Sequence, residues 1–241
     1  MSFFAQIAEG GAAHEEHVGP AAKTVFLLFG IPVSDTVLSA WLVMAVLVLL
    51  AWAIGRNLKL MPSGLQNLVE LMVEFWIRTI EQVAGRRGVR FLPLVLTAFL
   101  FILASNWIGT LPIFGNISWF RSPNSDLNLT VSMALIVFFT VQFWAIKSAG
   151  FLGYLKEFIV PNPLHILTEL SRPLSLSVRL FGNIFAGEVL LSTMLGIAPF
   201  VLFVFLGIEL FVGIIQAIIF AMLTLAYLAI ATSHEGAEGH H

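Results

Sequence analysis

Long uncharged runs, broken by short clusters of charge, set the pattern of this chain. Val37 to Ile54 carries no charged side chain and ends at Gly55, Arg56 and Lys59. A bilayer core of roughly 30 Å is crossed by about 20 apolar helical residues, so this run predicts a first membrane crossing over 37–54. Arg86, Arg87 and Arg90 bound a second stretch, uncharged from Phe91 to Phe120, and a turn from Pro112 to Gly115 ends that crossing, giving 91–113. A polar loop with Pro123, Asn124 and Asp126 leads to a third uncharged run, 127–146, which closes at Lys147. After a loop at 147–163, two segments of more than thirty residues follow, 164–195 and 200–232, parted by Gly196 and Pro199. At about 1.5 Å per residue each reaches nearly 50 Å, more than the hydrocarbon is thick, so each must tilt, kink or run partly along the membrane.

Between the first two crossings the pattern changes. Ser63 and Gln66 have the spacing of a helix-starting capping box, and a helical period follows until Gly85. Leu65, Leu68, Val69, Met72, Trp76, Ile80 and Val83 fall on one side of this helix, and Asn67, Glu70, Glu74, Arg78 and Glu81 on the other. Such a helix, 63–84, lies in the membrane interface and does not cross. The expected fold is an all-α integral membrane protein with five crossings and one interfacial amphipathic helix, its last two helices forming a long, strongly tilted antiparallel hairpin. Residues 1–33 are expected as an extracytoplasmic segment and 34–241 as a single membrane domain.

Composition agrees: 59% of the residues are apolar and 11% charged. The first twenty-two residues hold no Lys or Arg, which argues against a cleaved secretory signal and for a mature N-terminus. With no cysteine, disulfides, thiolate metal sites and cysteine nucleophiles are excluded. A net charge of -2 offers no basic field for nucleic acid. Placing the loops at 55–90 and 147–160 in the cytoplasm puts eight Lys and Arg residues inside, against Lys23 and Arg121 outside. The N-terminus is then outside and the C-terminus inside.

The last two segments break the rule that membrane helices are uncharged, because they hold Glu169, Arg172, Arg179, Glu188 and Glu209, with Asn183 and Gln216. A central charge costs about 2.5 to 3.5 kcal/mol on insertion scales, so these side chains should face protein or water, and an ion path is the default reading. Glu169 and Arg172, three residues apart, also fit an ordinary ion pair anchoring a helix end. Arg179 has no carboxylate three or four residues away and is not deprotonated in practice, so it needs a partner from elsewhere. Glu188 is nine residues on, roughly 180° around the helix and about 13 Å along it. Glu209 and Gln216, seven apart, share a face that meets Glu188 or Arg179 across the hairpin; two facing carboxylates suit a proton relay. His14-Glu15-Glu16-His17 lacks the spacing of a zinc-protease helix, and His234, His240 and His241 resemble a solvated terminus, so no metal site is expected.

The run from Arg172-Pro173-Leu174-Ser175 through Val178-Arg179-Leu180-Phe181-Gly182-Asn183 to Ala186-Gly187-Glu188 closely resembles the signature of the a-subunit family of F-type ATP synthases. Gln216-Ala217-Ile218-Ile219-Phe220, Pro123-Asn124-Ser125-Asp126-Leu127-Asn128, and Asn106 with Leu111-Pro112 extend it over nearly all of the chain beyond the first crossing. The resemblance implies that Arg179 is the essential arginine facing the carboxylate that each c subunit carries at mid-membrane. It implies that Asn183, Glu188, Glu209 and Gln216 line an outer half-channel, with a histidine standing at the Glu209 position in some members. For a cytoplasmic half-channel Glu169 is the candidate, with Ser175 and His165 behind it. The implied partners are the c-ring, b-type peripheral-stalk subunits, lipid and protons, in a bacterial inner membrane. The chain would be non-catalytic and without cofactor; no Gly-x-x-x-x-Gly-Lys-Ser/Thr phosphate loop occurs, so no nucleotide is expected on it. A stand-alone channel or secondary transporter is the rival, but no repeat of two similar halves is visible. A purely structural subunit leaves five ionisable residues at depth without a reason.

Overall fold

The computed structural model describes residues 24–28, 31–56, 64–110, 122–159, 164–197 and 201–233; within these, the side chains of 24–32, 151–170, 192, 195–197 and 202 lie outside the description. Among the described residues there are six α-helices: α1 (Asp35–Arg56), α2 (Leu65–Ala84), α3 (Leu92–Thr110), α4 (Leu127–Ile159), α5 (Leu164–Ile197) and α6 (Leu202–Ala231). Five segments are long and apolar enough to cross a membrane: Asp35–Arg56, Arg86–Thr110, Leu127–Gly150, Ser171–Leu191 and Phe203–Ala231. These match the five expected crossings, and the protein is a multi-pass membrane protein.

To the all-α expectation the structure adds one pair of short strands, β1 (Thr24–Leu28) and β2 (Ile31–Ser34), which pair antiparallel just before α1. It departs from the expectation after the third crossing. The loop expected at 147–163 is largely helical. Helix α4 breaks at Gly150, where φ is 71° and ψ 157°, and then resumes to Ile159. Only glycine takes that left-handed backbone freely, so the chain turns there, and the Leu, Lys and Glu that follow favour helix again. The expected end of the second crossing at 113 and the break at Pro199 fall outside the described residues.

Two compact units, each discontinuous in sequence, make up the chain. One comprises the described residues of Met1–Ala45, Phe101–Thr130 and Ser177–Ala217, the other those of Val46–Leu100, Val131–Leu176 and Ile218–His241. In the first unit, Asp35 stands in the first turn of α1, where a carboxylate complements the helix dipole, and accepts a hydrogen bond from the Thr36 N–H at 2.8 Å. In the second unit, α2 starts beside Gly64, at φ 60°, and stops at Gly85, at φ 68°. Of its expected apolar side, Trp76 and Ile80 are fully buried, whereas Leu65, Leu68 and Val83 are exposed. Trp76 packs on Phe99 of α3 with ring centroids 5.3 Å apart. Glu70, Glu74, Arg78 and Glu81 are exposed as the pattern predicts, and Arg78 pairs with Glu74 one turn back at 2.5 Å.

Trp76 therefore holds α2 to α3. Trp76→Ala is expected to destabilise the purified chain by about 3 to 5 kcal/mol in denaturation from detergent. Leu71→Ala, at an exposed position of the same helix, should change stability by no more than about 0.5 kcal/mol.

Candidate functional site

Helices α5 and α6 present the expected site residues of the first unit. Arg179 is exposed on α5, and no side chain among the described residues forms an ion pair with it. Asn183, one turn further, is half-buried, as is Glu188; Gln216 on α6 is buried at 7% exposure. The two helices come close at Gly187 and Glu209. A Cβ at Gly187 would overlap the Glu209 carboxylate, coming within 2.8 Å of its Cδ, so the glycine is what gives this acid its place. Glu188 is near enough for the two carboxylates to feel each other's charge, and so the structure brings together the two acids that the sequence placed on separate helices. The Oε2 of Glu209 is enclosed and has no hydrogen-bond partner among the described residues.

Beside this pair, α3 is clamped to α6 by polar groups. Asn106, 2% exposed, donates from Nδ2 to the Gly213 carbonyl at 3.1 Å, and Trp107 donates from Nε1 to the Leu210 carbonyl at 3.4 Å. These carbonyls lie within the span of α6 between Glu209 and Gln216, and a helical carbonyl has a second lone pair with which to accept. The Asn106 Oδ1 in turn accepts from Asn124 Nδ2 at 2.7 Å. Gly213 leaves room for this contact, because a Cβ there would stand 3.1 Å from that of Asn106.

The network continues through the turn at Pro123–Ser125. Asp126 accepts a hydrogen bond from the Thr36 hydroxyl at 2.8 Å and another from the Asn128 N–H at 2.9 Å. Asp35, Thr36, Ser39, Ser105, Asn106, Ser122, Asn124, Ser125 and Asp126 are all buried, so this half of the unit has a polar interior. Buried polar groups without water must satisfy one another, and most of these do.

The cytoplasmic candidates fall in the second unit. Ser175 is exposed on α5. Glu169 and His165 stand in the α5 backbone, but their side chains lie outside the described residues, and the proposed Glu169–Arg172 pair with them. Arg172 is half-buried with its guanidinium 4.8 Å from the ring centre of Tyr227. A shallow, mainly apolar cavity adjoins it, lined by Ala134, Val137, Phe138, Val141, Pro173 and Leu176.

A family model described as ATP synthase A chain matches residues 37–229. The chain belongs to that family. An ATP synthase subunit a from Moorella thermoacetica is 35% identical over 224 residues, covering 88% of this chain and 96% of the relative. One from Oceanobacillus iheyensis is 35% identical over 248 residues, covering 93% and 100%, and one from Legionella pneumophila is 36% identical over 217 residues, covering 88% and 92%.

For this family member, sequence reasoning named the acids and the arginine but missed the structural part of Gly187 and Gly213, and it did not join Thr36 to Asp126. The signal for Asn106 was present, as an amide inside an otherwise apolar run. Replacing it by leucine strands the Asn124 amide in a buried place. Asn106→Leu is expected to cost about 1 to 3 kcal/mol of stability in detergent denaturation. Gly187→Val is expected to displace the Glu209 carboxylate and abolish ATP-driven proton pumping in inverted vesicles while the subunit still assembles, as immunodetection in the membrane would confirm.

Proposed function

We propose that this chain is the static, non-catalytic half of a rotary proton path, in which two offset aqueous half-channels meet a ring of c-type subunits and Arg179 stands between them. Proton translocation in the membrane sector of an F-type ATP synthase is the function that family membership carries. The observation that carries the finer reading is the exposure of Arg179 on a segment otherwise fit to cross the membrane, with no described side chain paired to it. A guanidinium in that position is costly unless an anion outside this chain meets it, and a carboxylate at mid-membrane on a neighbouring ring is such an anion.

Asn183, Glu188, Glu209 and Gln216 line the outer half-channel in this reading, supported by the enclosed Glu209 oxygen beside Glu188. Glu169, Ser175 and His165 serve the cytoplasmic one. A protonated ring carboxylate is neutral and tolerates lipid, whereas an ionised one is drawn to the fixed guanidinium, so a proton crosses only by riding the ring. Each proton moving across about 100 mV yields about 2.3 kcal/mol, and rotation accumulates several for one nucleotide bond.

The same reading makes 34–241 one membrane domain with the N-terminus outside and the C-terminus in the cytoplasm of a bacterium, α2 lying in the interface and α5 with α6 forming a tilted hairpin. B-type stalk subunits hold it against the turning ring. The test is Arg179→Ala in inverted vesicles stripped of the catalytic head for the leak measurement. Pumping is expected to vanish and passive proton leak to rise; preserved pumping would return this arginine to a structural role.

A further inference from the structure

We infer that the second unit holds a binding site for the headgroup of an anionic phospholipid, built from Arg90, Trp144 and Lys147. Arg90 places its guanidinium 4.3 Å from the Trp144 ring centre and 4.9 Å from that of Phe91, and the Lys147 ammonium lies 4.8 Å from the same indole. Two cations from different elements, the turn before α3 and the end of the membrane-crossing part of α4, thus gather on one side chain. Both are exposed. The indole is itself fixed, edge-on to Phe91 at 5.2 Å and to Phe143 at 5.9 Å. Two cations on one aromatic side chain raise the local positive potential, and an anionic group is drawn to it. Arg86 and Arg87, exposed in the same turn, add to the field.

Position selects the anion. Arg90 and Lys147 each close an apolar crossing segment, so they stand at the level where headgroups begin. Below Lys147 on the same face of α4, Phe143, Phe139 and Ile136 follow at helical spacing and are 60%, 64% and 59% exposed. An apolar stripe that leads to a pair of cations matches a lipid, with acyl chain along the rings and phosphodiester at the charges, and a net negative headgroup is favoured over a zwitterionic one. Arg56 over Trp52, at 4.9 Å, is a single cation on a single indole and supplies the comparison.

The full chain, reconstituted in phosphatidylcholine nanodiscs, is titrated with spin-labelled phosphatidylglycerol or spin-labelled phosphatidylcholine, and the immobilised fraction is read by electron paramagnetic resonance. The wild type is expected to hold phosphatidylglycerol at least about threefold more strongly than phosphatidylcholine. Arg90→Gln with Lys147→Gln should remove that preference, Lys147→Arg should keep it, and Arg56→Gln should leave it intact. Equal retention of the two lipids by the wild type, an equal loss in Arg56→Gln, or displacement of the lipid by inorganic phosphate alone would each overturn the assignment.

Discussion

An ionised or unpaired polar group in a hydrocarbon layer costs several kcal/mol, and every unusual feature of this chain is an answer to that cost. Most of the molecule avoids it with uncharged helices that end in arginine or lysine. Where polar residues do enter, they are met by other polar residues: Asn106 by Asn124 and the Gly213 carbonyl, Asp126 by Thr36 and its own turn. Among the described residues, Arg179 has no ion-pair partner and the Glu209 Oε2 has no hydrogen-bond partner, and a mobile proton and an external carboxylate would complete them.

Glycine is the means by which the chain brings these groups close. At Gly187 the absence of a Cβ admits the Glu209 carboxylate, and at Gly213 it admits Asn106. Both are close approaches within helices, where glycine costs about 1 kcal/mol relative to alanine, so its use here marks contacts that a larger residue would prevent. Polar clamps at Leu210 and Gly213 fix α6 on α3 while leaving the Glu209 side of the helix to α5.

The crossings were legible because charge and hydropathy mark helix ends in a membrane protein, and Arg56, Arg90 and Lys147 stand within a few residues of where the structure breaks its apolar segments. The charged residues of α5 and α6 were legible for the same reason, as exceptions in runs that lipid would otherwise accept. What was hidden depends on packing between segments far apart in sequence. Thr36 and Asp126 are 90 residues apart, and nothing local to either announces the bond. The helical continuation past Gly150 was hidden because a glycine among charged residues resembles the end of a helix as much as a bend in one. The flank of α2 departs from its periodicity because of that side only Trp76 and Ile80 are fully buried, Trp76 against Phe99 of α3, whereas Leu65, Leu68 and Val83 are exposed.

The most direct measurement uses the chain's lack of native cysteine. Single cysteines at 183, 188, 209 and 216 are introduced in turn, with Ile208→Cys and Phe211→Cys as exposed apolar comparisons on α6. The assembled enzyme in sealed membranes is treated from the outer side with a water-soluble thiol reagent, and proton flow is followed. The account predicts that all four polar positions are labelled and that labelling at 183 and 216 stops flow, while 208 and 211 stay unreactive. Equal reactivity at all six, or silence at the four, would contradict an aqueous path along α5 and α6.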